Sequence, residues 1–470
     1  MNYRLFPFEF RKFSDHVLIT SECGNYAFLS HEDFELLKDG DADRLSAEKR
    51  HELESGNFIA APEDVPTAIE LSALRYRNRK EFLRHFTSLH MLVVTLRCNH
   101  KCRYCQVSSA DEDAHKYDMS PEVAQKAAEM IFQSPSCDIT IEFQGGDAAL
   151  NWRAIKACVA RAEELNRDNR KRLTFVACTN LYALGENDFQ YCKEHRISLS
   201  TSLDGPADLH DHNRPTRSGM SSYARFVSQL KSAREALGHD QVSALMTTSR
   251  ASLDRIEEII DEYVNLEFPG IFFRSLNPYG EAYLNNLFYP AERFIEMYRR
   301  GLEYIIELNK KGVRFQEFYT ALLMRRIASS FPTGFVDLQS PSGAGICGAI
   351  YDYDGNVYPA DEARMLARMG DAKFRMGNVF QNSYQEIFGG NVIKTIVRES
   401  CIETVPCCAS CAYRVYCGVD VFRNYQETGS IVGVTRESFF CRKQQGIFDY
   451  LFEKIRTDKE FLKIVCSWIG

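Results

Sequence analysis

From residue 91 onward the chain alternates short apolar runs with amphipathic stretches, and this alternation constrains the fold more than any other feature. The runs are "MLVVTLR" (91–97), "DITIEFQ" (138–144), "RLTFVAC" (172–178), "RISLSTS" (196–202), "QVSALMTT" (241–248) and "GIFFRSL" (270–276). Between most of them lie segments such as "PEVAQKAAEMIFQ" and "LDRIEEIIDEYVNL", with apolar residues at helical spacing. Parallel strands need a crossover, usually a helix, so six β/α repeats predict a parallel sheet, open or curled into a partial (β/α)6 barrel. In such barrels chemistry gathers where strands end and loops begin. The expected class is α/β, with a small α+β domain over residues 1–85, the barrel over 86–330 and a cysteine-rich domain over 331–470. In the first of these, "HVLITSECGNYAFLS" reads as a hairpin turning at "CGN", followed by two short helices closed by glycine.

Charge narrows the partners. A net charge of −7 gives no overall attraction to nucleic acid or an anionic membrane surface. The run "RYRNRKEFLRH" (75–85) is a basic exception, read as a solvated helix face. No run of about 18 apolar residues suggests a membrane span, and the opening residues lack the order of a signal peptide, so a cytoplasmic protein is expected.

Sixteen cysteines in a reducing compartment point to metal rather than to disulfides. Ten fall in two groups: Cys98, Cys102 and Cys105, and then Cys347, Cys401, Cys407, Cys408, Cys411, Cys417 and Cys441. Cys23, Cys137, Cys158, Cys178, Cys192 and Cys466 are scattered among apolar residues and are expected to fill core space. The first triplet, in "TLRCNHKCRYCQ", follows the first strand directly and so belongs at the barrel mouth. Three thiolates on one loop can hold zinc with a fourth ligand, for which His100 is at hand, or three irons of a cubane cluster. Zinc sites usually pair cysteines twice, and no second pair is near. A cluster with three protein ligands leaves one iron open to another molecule.

The spacing C-x₃-C-x₂-C, with Tyr104 before the last cysteine, resembles the signature of radical S-adenosylmethionine (SAM) enzymes. That resemblance implies a TIM-like radical SAM core in which SAM chelates the open iron of a [4Fe–4S] cluster and is cleaved reductively to a hydrogen-abstracting 5′-deoxyadenosyl radical. It implies SAM contacts from Tyr104, from Gly145 and Gly146 of "FQGGDAAL", and from Asp147, where the family usually has Glu. Asn180 of "ACTNLYAL" and Ser202 and Arg214 of "TSLDGPADLHDHNR" complete the set. Taken alone, Asp204-Gly205-Pro206 reads as an ordinary turn.

Near the C-terminus, "CCASCAYRVYC" spaces Cys408, Cys411 and Cys417 as C-x₂-C-x₅-C, with Cys441 later. Four sulfurs without histidine suit an iron–sulfur cluster or structural zinc. The stretch resembles the SPASM extension of peptide-modifying radical SAM enzymes, where such a quartet holds a fully ligated auxiliary [4Fe–4S] cluster. A second auxiliary cluster would need thiolates where Ala360 and Val421 stand, so one auxiliary cluster is expected. Cys347 is then a remnant ligand, with Cys401 and Cys407 as replacements. Asp361, after Ala360, is either a general base near the substrate or a plain loop acid.

A narrower resemblance, carried by "CNHKCRYCQVS" and "FPFEFRKFSDHVLITSECGNYAFLS", is to the B-type maturases of the His-Xaa-Ser system. It implies modification, by cross-linking, of a ribosomally made peptide with His-Xaa-Ser repeats. It also implies a second radical SAM protein, an accessory protein and an electron donor such as flavodoxin or ferredoxin. The N-terminal hairpin would pair with a leader peptide by strand addition or cap the barrel end. Two other classes stay open: a sulfatase-maturase-like oxidase of Ser or Cys, and a non-catalytic iron–sulfur module.

Overall fold

Five of the six apolar runs form neighbouring parallel strands: Leu89–Thr95, Asp138–Gly145, Arg172–Cys178, Ile197–Ser202 and Val242–Leu245. This is a computed structural model, and it describes residues 3–433 and 435–469. The crossovers are helices, and three of them start on side-chain caps: Ser120 before Pro121–Ile131, Asn151 before Trp152–Leu165 and Ser221 before Ser222–Leu237. Each cap oxygen accepts an N–H that the helix itself leaves unpaired. Ile139, Ile141 and Phe143 of the second strand turn outward into the core beneath these helices. Thr140, Glu142 and Gln144 alternate with them and face the barrel interior, as a strand's period of two requires.

The sixth run departs from expectation. Only Gly270–Ile271 is a strand, and it pairs with Gln316–Glu317 in a separate two-stranded sheet. Glu317 explains the interruption, because its buried carboxylate accepts the Phe273 N–H at 2.9 Å, a donor that a continuing ladder would need. The barrel is held on that side by the Thr248 N–H, which donates to Arg274 O at 2.9 Å.

At the opposite edge the sheet continues in a way the sequence reading did not foresee. Gly348–Tyr351 lies parallel to the first barrel strand, and Asn356–Tyr358 and Gly377–Asn378 follow antiparallel, giving eight strands in all. The cysteine-rich section is therefore hydrogen-bonded into the barrel sheet, and helix Asp361–Arg368 stands over the barrel mouth.

The N-terminal hairpin forms as expected, Val17–Ser21 with Tyr26–Leu29, and gains a third strand, Phe8–Lys12. Its buried side chains pack with Phe34, Leu37, Leu53 and Phe58 of the following segments. The sheet rests on the C-terminal section: Thr20 Oγ1 donates to Ala412 O at 2.7 Å and Tyr26 meets Phe452 edge-on at 5.2 Å. The basic run is only partly solvated. Arg79 and Lys80 turn inward, Arg79 onto Cys23 O at 2.8 Å and Lys80 onto Ser340 O at 2.6 Å. Among the described residues no helix is long and apolar enough to cross a membrane.

Candidate active site

The loop after the first strand is fixed from both sides. Thr95 Oγ1 and Arg97 Nε donate to the same oxygen of Asp118, at 2.6 and 2.7 Å. The Cys98 N–H donates to Ala110 O at 3.0 Å, and Lys101 and Arg103 N–H groups donate to Pro215 and Asn213 carbonyls at 2.8 and 3.0 Å. Arg217 Nε closes the seam on Cys98 O at 2.8 Å. So held, Cys98, Cys102 and Cys105 line a cavity of about 260 Å³ at the carboxyl ends of the strands. The same cavity is lined by Tyr104, Gly145, Gly146, Asn180, Ser202, Arg214 and Asp361, nearly all the residues the sequence singled out for it.

Burial pushes the Cys98 thiol well up and the Cys102 thiol up to about 12. Thiols in such a setting ionise only beside a compensating positive charge, which a metal centre supplies. Among the described residues no three His, Cys, Asp or Glu side chains close round one point, as a single ion would require. Both ring nitrogens of His100 are buried without partners, its neighbour being the Tyr182 ring at 5.7 Å. Three separated thiols on one wall, with open volume in front of them, fit a polynuclear cluster carried on distinct metal atoms.

The reasons behind the other residues differ from those read in the sequence. A Cβ on Gly146 would meet Arg97 O at 2.3 Å, and one on Gly145, whose φ is +138°, would meet Thr95 O at 1.9 Å. These glycines let the second strand's exit pack on the first strand's backbone, with Gly146 N–H donating to Thr95 O at 2.9 Å. Asp147 is absent from the cavity wall. Its Oδ1 accepts the Ala149 N–H at 3.1 Å as the cap of a short 3₁₀ turn, and burial pushes its pKa up to about 6. The side chain folds back on its own turn.

Asp204, read as part of a turn, is fully buried and central. Its Oδ2 accepts from the Tyr104 hydroxyl and pairs with Arg214 Nε at 3.1 Å. Arg214 lies 5.4 Å from the Tyr104 ring centre, so one carboxylate orients both cavity-lining side chains. A buried polar turn residue flanked by strand and helix was the available signal.

Sequence reading named Asp361 and missed the rest of the floor: with it, Glu142, Gln144, Leu245 and Arg274 belong both to this cavity and to an adjoining chamber of about 430 Å³. Burial raises the Glu142 carboxyl, with the Asp361 charge adding to the rise. Cys178, expected as core filler, stands on the cavity wall, while Cys137 and Cys466 are exposed. Asp361 opens helix Asp361–Arg368 and accepts from Arg364 Nε at 3.0 Å, a guanidinium with no solvent exposure. Deeper in the chamber lie Asp337, Glu362, Asp420 and Lys443. Burial and the neighbouring acids push Glu362 up to about 8 and Asp420 up to about 6, while burial pulls Lys443 down to about 8.

A second sulfur-rich pocket, about 40 Å³, is walled by Cys407, Cys408, Cys411, Cys417 and Cys441. The quartet expected from the spacing is thus gathered, with Cys407 beside it. Burial raises the thiols of Cys411, Cys417 and Cys441. Cys347 does not line this pocket, and Cys401 instead donates to Val397 O at 3.2 Å. Ala360 and Val421 are buried in one apolar cluster with Ile396, Ile402 and Val419.

Residues 92–271 match the Radical SAM superfamily. That match takes in the barrel strands and the cysteine loop, and the chain is an enzyme. It is 20% identical over 369 residues to the cysteine-type anaerobic sulfatase-maturating enzyme of Clostridium perfringens, spanning 76% of this chain and 94% of that protein. A solved structure of native anSMEcpe with bound AdoMet shares the fold at a TM-score of 0.65 and 18% identity, covering 81% of this chain and 99% of that one. Streptococcus suis SuiB bound to its precursor peptide SuiA shares it at a TM-score of 0.56 and 11% identity, covering 93% and 99%.

Proposed function

We propose that this chain is a radical SAM enzyme that oxidises a Ser or Cys side chain of a protein or peptide substrate, in the manner of sulfatase maturation. The observation that carries the reading is the shared wall between the thiol-lined cavity and the larger chamber, with the Asp361 carboxylate on it. In this reading Cys98, Cys102 and Cys105 hold a [4Fe–4S] cluster, and Cys408, Cys411, Cys417 and Cys441 hold an auxiliary one. Cluster and SAM together supply, when bound, a hydrogen-abstracting radical. Gly145, Gly146, Asn180, Ser202 and Arg214 seat SAM, with Tyr104 and Asp204 orienting Arg214. The chamber would admit a polypeptide segment, and the carboxylate of Asp361, fixed by Arg364, accepts the proton of the substrate hydroxyl or thiol, while the carbon-bound hydrogen atom would pass to the adenosyl fragment of SAM and the remaining electron to the auxiliary cluster. The likeness to sulfatase-maturating enzymes over most of the chain supports this choice of substrate.

A second reading, cross-linking of a His-Xaa-Ser repeat peptide, is favoured by one observation. Ala360 and Val421 sit in a packed apolar cluster where a second auxiliary cluster would need ligands. In that reading residues 1–85 form a peptide-recognition or cap domain ahead of a radical SAM core (86–330) and a SPASM-like domain (331–470). Anaerobic incubation of the reconstituted enzyme with a sulfatase-type Ser or Cys peptide, and separately with a His-Xaa-Ser repeat peptide, decides by mass spectrometry. The first reading expects an aldehyde on the former; an internal cross-link in the latter and no aldehyde would replace it.

A further inference from the structure

The inward turn of the basic run creates a site that the proposed reaction does not use. A pocket of about 250 Å³ opens between helix Val65–Arg79, helix Phe318–Ala328 and the loop before Cys417. Four cations line it, Arg79, Lys80, Arg326 and Arg414, against two carboxylates, Glu22 and Glu403. Both carboxylates are already engaged. Glu403 accepts from Lys80 Nζ at 2.6 Å and from Ser340 Oγ at 2.7 Å, and Glu22 pairs with Arg414 at 2.9 Å.

Among the described residues neither Arg79 nor Arg326 forms an ion pair, and the acidic groups that act on Arg326 from a distance are Cys417 and Glu403. The two arginines are 5% and 4% exposed, and every hydrogen bond they make goes to a neutral carbonyl. Arg79 Nε donates to Cys23 O at 2.8 Å and its Nη1 reaches Arg326 O and Val415 O at 3.4 Å. Arg326 Nε donates to Tyr416 O at 3.2 Å, and its Nη1 is buried with no partner. Gly24 makes the room: its φ is +89°, and a Cβ there would lie 1.9 Å from Arg79 Nη2. Burial, then repulsion from Arg79, pulls Arg326 down to about 10. Buried charges are normally paired, and a guanidinium does not shed its proton near neutral pH.

We propose that this pocket binds an oxyanion, a carboxylate or phosphate group, between Arg79 and Arg326. Planar N–H forks suit two oxygens of one anion, and the ligand neutralises charges that the chain itself leaves unpaired. The anion comes either from a free solute or from an acidic side chain of a polypeptide docked where the N-terminal and cysteine-rich sections meet. The site shares no residue with the barrel mouth and meets the C-terminal cysteine pocket only at Ile402 and Arg414.

The test titrates inorganic phosphate, and separately an acetylated, amidated triglutamate peptide, into the full-length reconstituted protein by calorimetry at low ionic strength. At least one probe should bind one-to-one. Phosphate alone identifies a free anion; the peptide, alone or with phosphate, identifies an acidic side chain. Arg326→Gln should weaken binding by about tenfold or more, the scale of one charge-assisted hydrogen bond. Glu403→Gln, which removes a competing carboxylate, should tighten it. Binding of neither probe overturns the proposal. So does an affinity that Glu403→Gln leaves unchanged, a result readable even if the arginine variant does not fold.

Discussion

The barrel-mouth cysteines and the C-terminal cysteines are built on opposite plans. Cys98, Cys102 and Cys105 lie on a loop pinned by the first strand, the Asp118 carboxylate and the loop after the fourth strand, and they face open volume continuous with a chamber. The C-terminal five lie on successive turns and one helix start, where Ser438 Oγ accepts the Cys441 N–H at 3.1 Å, and they enclose little space. A site that exchanges a bound molecule needs an open side and rigid walls. A site whose ligands are all its own needs neither, because the bound group then organises the turns. In the proposed function the barrel mouth carries the chemistry and the C-terminal pocket a supporting part, and this difference in build is what that division needs.

The walls of the barrel mouth are the place to break this comparison. Asp204→Asn should have the largest effect on stability, about 3 kcal/mol, because it leaves Arg214 buried without its countercharge and offers one acceptor oxygen where Tyr104 and Thr247 use two. Thermal unfolding measures it, and a shift within error would show that Arg214 finds another partner. Gly146→Ala should cost about 1–3 kcal/mol, since its new methyl meets backbone rather than a movable side chain. SAM cleavage should fall with it, because the strand exits must part. Asp147→Ala should cost only about 1 kcal/mol, the worth of a short-turn cap, with SAM affinity nearly kept. A large loss of SAM affinity there would return Asp147 to the cavity.

The chamber adds a pH dependence of definite sign. Glu362 has a folded pKa near 8, raised from an ordinary 4.5, so its contribution to stability is complete below pH 4.5 and is lost as pH rises toward 8. Asp420 acts in the same direction up to about pH 6. Buried His90, His100 and His210 act in the opposite sense below pH 6.5, so the Glu362 effect is read by difference: the melting temperature of the parent relative to Glu362→Gln should fall as pH rises from 4.5 to 8.

Much of this was legible in the sequence because spacing alone carried it. Five strands and their helices follow from apolar period, and the triplet's place follows from its position after the first of them. The rest depended on side chains reaching across the fold. Glu317 captures the Phe273 N–H from 44 positions away and ends the sixth strand. Asp204 becomes the hub of Tyr104 and Arg214 only once the loops after the first and fourth strands meet. Arg79 looked solvated because helical charge runs usually are, and it is buried because Gly24, on a distant hairpin, leaves it space. Glu142 and Gln144 were visible as the polar half of an alternating strand, a signal that points inward only when the sheet closes.

The central claim is that the two cysteine sites divide the work. The direct measurement is 5′-deoxyadenosine production by two anaerobically reconstituted variants, Cys98/Cys102/Cys105→Ala and Cys408/Cys411/Cys417/Cys441→Ala, with iron counted in each. At about four irons per cubane, the parent should hold about eight and each variant about four. The account predicts no 5′-deoxyadenosine from the first variant and continued SAM cleavage from the second. Cleavage by the first variant, or its complete loss from a second variant that keeps four irons and its fold, would contradict it.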